Sequence, residues 1–127
     1  MTKSFIRTSR APPAAGPYSQ GIKAGNLLFV AGQGSFDPRT DEIVGKDIAS
    51  QTRQTLDNVR AIVEASGFTL ADVAMVSVFL KDPEDFQKMN EVYKMFFPDN
   101  PPTRTTVVTD FVAPGMLVEM NAIAYRE

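Results

Sequence analysis

A chain of 127 residues, 43% hydrophobic and 22% charged, has the composition of an ordinary globular protein and is expected to fold as one domain over residues 1–127. A net charge of −2 with scattered Lys and Arg supplies no basic stripe for phosphates, which argues against a nucleic-acid partner. The absence of cysteine and histidine excludes disulfides, thiolate nucleophiles, Ser-His and Cys-His systems and the common zinc sites, and leaves acid–base work to Glu, Asp, Lys or Tyr. No signal-peptide pattern or long apolar run is present, so a cytoplasmic protein without membrane contact is expected.

In chain order, Ser4 to Thr8 is a short mixed run that suits an edge strand, and Ala11 to Pro17, with three prolines and a glycine, is a loop. Tyr18 to Ala24 and Leu27 to Ala31 flank Gly25-Asn26, a two-residue hairpin signal. By pattern alone Tyr18 is a strand residue with its hydroxyl at the surface. Gly32-Gln33-Gly34 then suits a turn or bulge, or a close approach of ligand to backbone; no Gly-Lys-Ser/Thr follows to make it a phosphate loop. Ser35 to Gly45 is a polar loop.

Asp47 can cap a helix in which Ile48, Thr52, Thr55, Leu56, Val59, Ile62 and Val63 recur on one face, with Gly67 just past its end. Val73 to Leu80 is a strand apolar on both faces and therefore expected inside the sheet. Asp82-Pro83 opens a second helix whose buried side is expected to carry Phe86, Met89, Val92, Tyr93, Phe96 and Phe97, and Pro98 stops it. Asn90, beside that stripe, reads by itself as an exposed helix residue. The order of strands, helix, strand, helix and two strands makes the class α+β, a two-layer sandwich with both helices on one face.

The last stretch, 100–126, reads as a β-branched strand from Arg104 to Thr109, a loop with Pro114 and Gly115, and an apolar strand from Leu117 to Tyr125 broken by one charge, Glu119. Arg104, Thr106 and Val108 share a face of the first strand; Leu117, Glu119, Asn121 and Ile123 share a face of the second. If the two form a hairpin, one face carries Arg104, Thr106, Glu119 and Asn121 together, for example with Thr106 opposite Glu119. Such a pair is either a cross-strand salt bridge on a solvated face or a site in which Arg104 grips a carboxylate and Glu119 handles a proton or a water.

PPTRTTV followed by VEMNAIA resembles the C-terminal signature of the RidA family of reactive intermediate deaminases, also called YjgF or L-PSP. APPAAGPYSQGIKAGNLLFVAGQ and QTRQTLDNVRAIVEASG extend the resemblance over nearly the whole chain. It implies a six-stranded mixed sheet, a homotrimer resembling trimeric chorismate mutase, and sites in the clefts between subunits. It also implies hydrolytic deamination of 2-aminoacrylate and 2-aminocrotonate, with their 2-imino tautomers, to 2-oxo acids and ammonia, without metal or cofactor. Arg104 and Glu119 become the catalytic pair. Tyr18 and the backbone of Gly32 become pocket wall, with Thr106, and Asn90 reaches across a subunit boundary. Thr106 stands where the family often has cysteine, which removes any thiol role but leaves a hydroxyl able to donate one hydrogen bond. Three other readings stay open: a specialised family deaminase acting on 2-aminomuconate or on aminoacrylate from pyrimidine breakdown, a ribonuclease, and a non-enzymatic ligand-binding or chaperone-like trimer.

Overall fold

A computed structural model describes residues 2–127. Six strands form one mixed sheet: β1 (Lys3–Ile6), β2 (Gly21–Ala24), β3 (Leu27–Gln33), β4 (Val73–Leu80), β5 (Thr103–Val108) and β6 (Val118–Tyr125). Their spatial order is β1-β2-β3-β6-β4-β5. Every pairing is antiparallel except β4 with β5. Two helices, α1 (Ile48–Ala65) and α2 (Phe86–Phe96), cover one face.

The local signals act as their chemistry requires. Asp47 caps α1 by accepting a hydrogen bond from the Ser50 N–H at 2.8 Å. Gly67 follows the helix at φ 84°, where a side chain would be strained. All seven residues of the expected α1 stripe are buried. The apolar ones, Ile48, Leu56, Val59, Ile62 and Val63, pack with Leu28, Val30, Val76, Val78, Leu80, Val118 and Met120 of the covered sheet face to form the core.

Two expectations need correction. Strands β5 and β6 do not form a hairpin. β4 lies between them, parallel to β5 with Val76 opposite Arg104 and Val78 opposite Thr106, and antiparallel to β6 with Phe79 opposite Glu119 and Ser77 opposite Asn121. The physical reason is the crossover: α2 carries the chain from the end of β4 back to the start of β5, which makes those two strands parallel neighbours and leaves the other edge of β4 for β6. Phe86 is the second correction. It is 40% exposed instead of buried, because a single 3-10 turn, Pro83–Asp85, precedes α2 and leaves Phe86 at the helix start, clear of the core.

The uncovered sheet face carries a continuous apolar row. Phe5, Ile22, Phe29, Ile123 and Met75 stand opposite one another on five successive strands. Phe5, Phe29 and Met75 are all exposed. The edge strand β5 adds exposed Val107 on that face, opposite Phe79, while exposed Val108, opposite buried Leu80, lies on the helix side.

Candidate functional site

The register decides which side chains share a face. Residues directly opposite in a ladder point the same way. Val76 and Val78 are buried under the helices, so Arg104 and Thr106, opposite them, lie on the helix side. Phe79 and Ser77 face the uncovered side, and so do Glu119 and Asn121. Arg104 with Thr106, and Glu119 with Asn121, therefore stand on opposite faces, and the shared face expected for these four residues does not exist within one chain.

Arg104 emerges from the edge strand beneath α2. Its guanidinium carbon sits 4.8 Å from the Tyr93 ring centre and 5.5 Å from that of Phe86. Both distances are within cation–π range. Arg104 makes no ion pair among the described residues. It opens into a cleft of about 460 Å³ shared with Asn90, Tyr93, Phe97 and Pro102. Two buried atoms here, Asn90 Oδ1 and Tyr93 Oη, have no hydrogen-bond partner. Burial pushes the Tyr93 hydroxyl up to about 12, with the Arg104 charge pulling the other way, so Tyr93 stays a donor at neutral pH. Thr106 lies half-buried two residues further along the same face.

Glu119 occupies a second cavity of about 150 Å³, with Pro12, Tyr18, Gly32, Gly34 and Met116 in its wall. Three steps of β3, from Val30 to Gln33, are set against only two of β6, from Ala122 to Met120, so a β-bulge falls at Ala31–Gly32. The bulge brings the Gly32 backbone against the Glu119 carboxylate. A Cβ added at Gly32 would overlap Oε2, so only glycine permits this approach. Tyr18 is half exposed and its hydroxyl accepts a hydrogen bond from the Ala15 N–H at 3.0 Å. Beside it, buried Gln20 braces the proline-rich loop by donating to the Pro12 carbonyl at 2.7 Å.

Thus Tyr18, Gly32 and Glu119 meet in one cavity, and Asn90 and Arg104 meet in another. Tyr93 and Phe86 were not singled out as partners of Arg104 from the sequence. The available signal was a tyrosine inside an apolar stripe, whose hydroxyl needs a partner when buried. Gly32→Ala is expected to push the Glu119 carboxylate aside and lower turnover about tenfold or more, as small displacements of reacting groups do. Its melting temperature should stay near wild type, since the obstacle is a side-chain tip. Parallel kinetics and thermal melts check this.

Burial holds the Glu119 carboxyl above its ordinary value of 4.5. The folded state then keeps the proton more tightly than the unfolded chain, so stability falls as pH rises from 4.5 through the folded value. Glu119→Gln removes that penalty. The variant should melt higher than wild type near neutral pH, and the difference should vanish below about pH 4, where both states carry the proton. Melts at the two pH values decide it; a variant less stable at both would mean that the carboxylate makes a favourable interaction that glutamine cannot reproduce.

Among the described residues there is no cluster of three or more potential metal ligands, and no helix is long and apolar enough to cross a membrane. The family model described as endoribonuclease L-PSP matches residues 8–126. A RutC family protein of Pyrococcus horikoshii is 53% identical over 125 residues, covering 98% of this chain and 99% of the relative. A 2-iminobutanoate/2-iminopropanoate deaminase of Escherichia coli K12 is 41% identical over 129 residues, covering 99% of each. The crystal structure of E. coli TdcF with bound serine superposes with a TM-score of 0.92 at 41% identity, over 98% of this chain and 99% of that one. A family match running from the proline-rich loop through Glu119, together with the same fold over nearly the whole length, places the chain in the L-PSP family, the YjgF/RidA family whose signature its terminal strands carry.

Proposed function

We propose that this protein is a hydrolytic deaminase of small 2-imino and enamino acids, acting as a homotrimer with its sites between subunits. The substrates are 2-aminoacrylate/2-iminopropanoate and 2-aminocrotonate/2-iminobutanoate. The products are pyruvate or 2-oxobutanoate, with ammonia. The observation that carries the reading is the pairing of functions: a guanidinium without an ion pair, and a half-buried carboxylate whose pKa is raised, set against a glycine backbone.

The chemistry assigns each group a task. Arg104 holds the substrate carboxylate through two parallel hydrogen bonds. The Thr106 hydroxyl donates a third, and Asn90 closes the cleft beside it. Protonation of the enamine at its β-carbon by solvent gives the iminium form of the imine. Glu119 takes a proton from water as the oxygen adds to the imine carbon, forming a carbinolamine. It returns that proton to nitrogen and then accepts the hydroxyl proton as the C–N bond breaks, so that ammonia leaves and the carbonyl forms. A carboxyl raised towards neutrality suits both directions of transfer. Tyr18 and the Gly32 backbone shape the wall against which the imine sits.

Trimeric assembly is supported by the exposed apolar row across the uncovered face and by the apolar edge strand, both of which need cover. A rotating, closed set of contacts would set the Arg104 edge of one subunit against the Glu119 face of the next. The endoribonuclease of the family description draws less support: there is no histidine, and the net charge is −2.

The test is a coupled assay in which a serine or threonine dehydratase supplies the enamine. Keto-acid release should quicken in the presence of this protein, without added metal and equally with a chelator. Folded protein that accelerates neither substrate would overturn the proposal.

A further inference from the structure

Helix α1 carries two buried carboxamides, Gln51 and Asn58, each 1% exposed. They lie seven residues apart, two turns along one face. Asn58 Nδ2 donates to the Gly34 carbonyl at 3.0 Å and the Phe36 carbonyl at 2.9 Å. Its Oδ1 accepts from Gln54 Nε2 at 2.9 Å, which orients the amide. Gln51 Nε2 donates to the Gly115 carbonyl at 2.9 Å and the Gly45 carbonyl at 3.2 Å, while its Oε1 accepts from the Leu117 N–H at 2.8 Å.

The held segments are the two that meet at Glu119. Residues 34–36 leave the Gly32 bulge, and residues 115–117 lead into β6 two positions before Glu119. Gly34, Phe36 and Met116 all line the Glu119 cavity. Contact between the Gly32 backbone and the carboxylate leaves no slack for even a methyl group.

We infer that Gln51 and Asn58 are positioning residues for Glu119: from one helix they fix the two backbone segments whose separation sets the carboxylate against Gly32. This rests on the proton-transfer role given to Glu119 above. A helix is a stiff ruler, and buried hydrogen bonds to backbone carbonyls leave little freedom in the segments they hold.

The test uses the intact protein and the variants Gln51→Met and Asn58→Leu, which keep side-chain bulk and remove the donors. Three readouts are taken: turnover in the coupled assay, the acidic limb of its pH profile, and binding of 2-oxobutanoate by calorimetry. Turnover should fall about tenfold to a hundredfold, as expected for a misplaced reacting group. The acidic limb should move to lower pH as water reaches the carboxylate. Affinity for 2-oxobutanoate should hold within about twofold, because its carboxylate is gripped by Arg104 on β5, a strand that neither amide touches. Wild-type turnover and an unmoved acidic limb, with Glu119→Gln inactive, would overturn the positioning role and leave the Glu119 role intact. Wild-type turnover in Glu119→Gln itself would overturn both. If neither amide variant folds, Gln54→Ala decides: it removes only the bond that orients Asn58, from a partly exposed residue. A smaller fall with the same shift of the acidic limb upholds the inference, and unchanged turnover and limb overturn it.

Discussion

Arg104→Ala is expected to nearly abolish turnover, and Arg104→Lys to lower it by about ten- to a hundredfold, the effect of one charge-assisted hydrogen bond lost in the transition state. Lysine keeps the charge but offers a point donor in place of a planar fork, so one of the two bonds to the substrate carboxylate goes. Each such bond is worth about 1.5–3 kcal/mol. The competing, purely structural account is not a salt bridge, since Glu119 stands across the sheet. It is the stacking of the guanidinium on Tyr93 and Phe86. Half-exposed cation–π contacts of this kind contribute about 0.5–1 kcal/mol each. On that account Arg104→Ala would lower the melting temperature by a few degrees with near-normal turnover. The site predicts the reverse weighting, a small loss of stability and a near-total loss of rate. Rates and melts on the same verified oligomer separate them, and wild-type turnover in Arg104→Ala would remove Arg104 from the site.

The sequence carried more of the fold than of the site. Caps, stops and the α1 stripe are local signals, and Asp47, Gly67 and the buried run from Ile48 to Val63 answer to local chemistry. Face alternation along each terminal strand is equally local, and Arg104 does share a face with Thr106, as Glu119 does with Asn121. What failed was the relation between the strands. Reading neighbours in sequence as neighbours in space ignored a non-local signal that was present: strand, helix and strand from Val73 to Val108 form a crossover unit, and such units end in parallel neighbours. Inserting β4 changes the outcome by a single residue of register. Glu119 falls opposite Phe79 while Thr106 falls opposite Val78, and one step along a strand reverses the face. The partners of Arg104 were hidden for another reason. Tyr93 was legible as an apolar stripe residue, but the stacking of a cation on its ring depends on where β5 runs beneath α2. Gln51 and Asn58 were hidden because a polar residue on a helix reads as solvated until the loops it holds are known.

Separation of the two half-sites turns the location of the catalytic centre into a counting experiment. Arg104→Ala and Glu119→Gln are each expected to be inactive alone. Coexpressed in equal amounts in mixed trimers, they should regain activity if each centre takes Arg104 from one subunit and Glu119 from its neighbour. A competent centre then needs its guanidinium from the Glu119→Gln chain and its carboxylate from the Arg104→Ala chain. Each choice has even odds, so about a quarter of wild-type turnover returns in a closed ring of identical contacts. If the centre lay within one chain, every copy would lack one half and nothing would return. A second mixture calibrates the first. Wild type combined with the double variant keeps about a quarter of its centres when they are shared between neighbours and about half when they are not. Differently tagged chains confirm that the two chains mix at random in the whole population to which these fractions apply, and sedimentation equilibrium reports whether they are trimers. A stable monomer at micromolar concentration, or no recovery in verified mixed trimers, would sink the shared centre. The geometry makes recovery the expected result, because no rotamer carries Glu119 through the sheet to the face on which Arg104 lies.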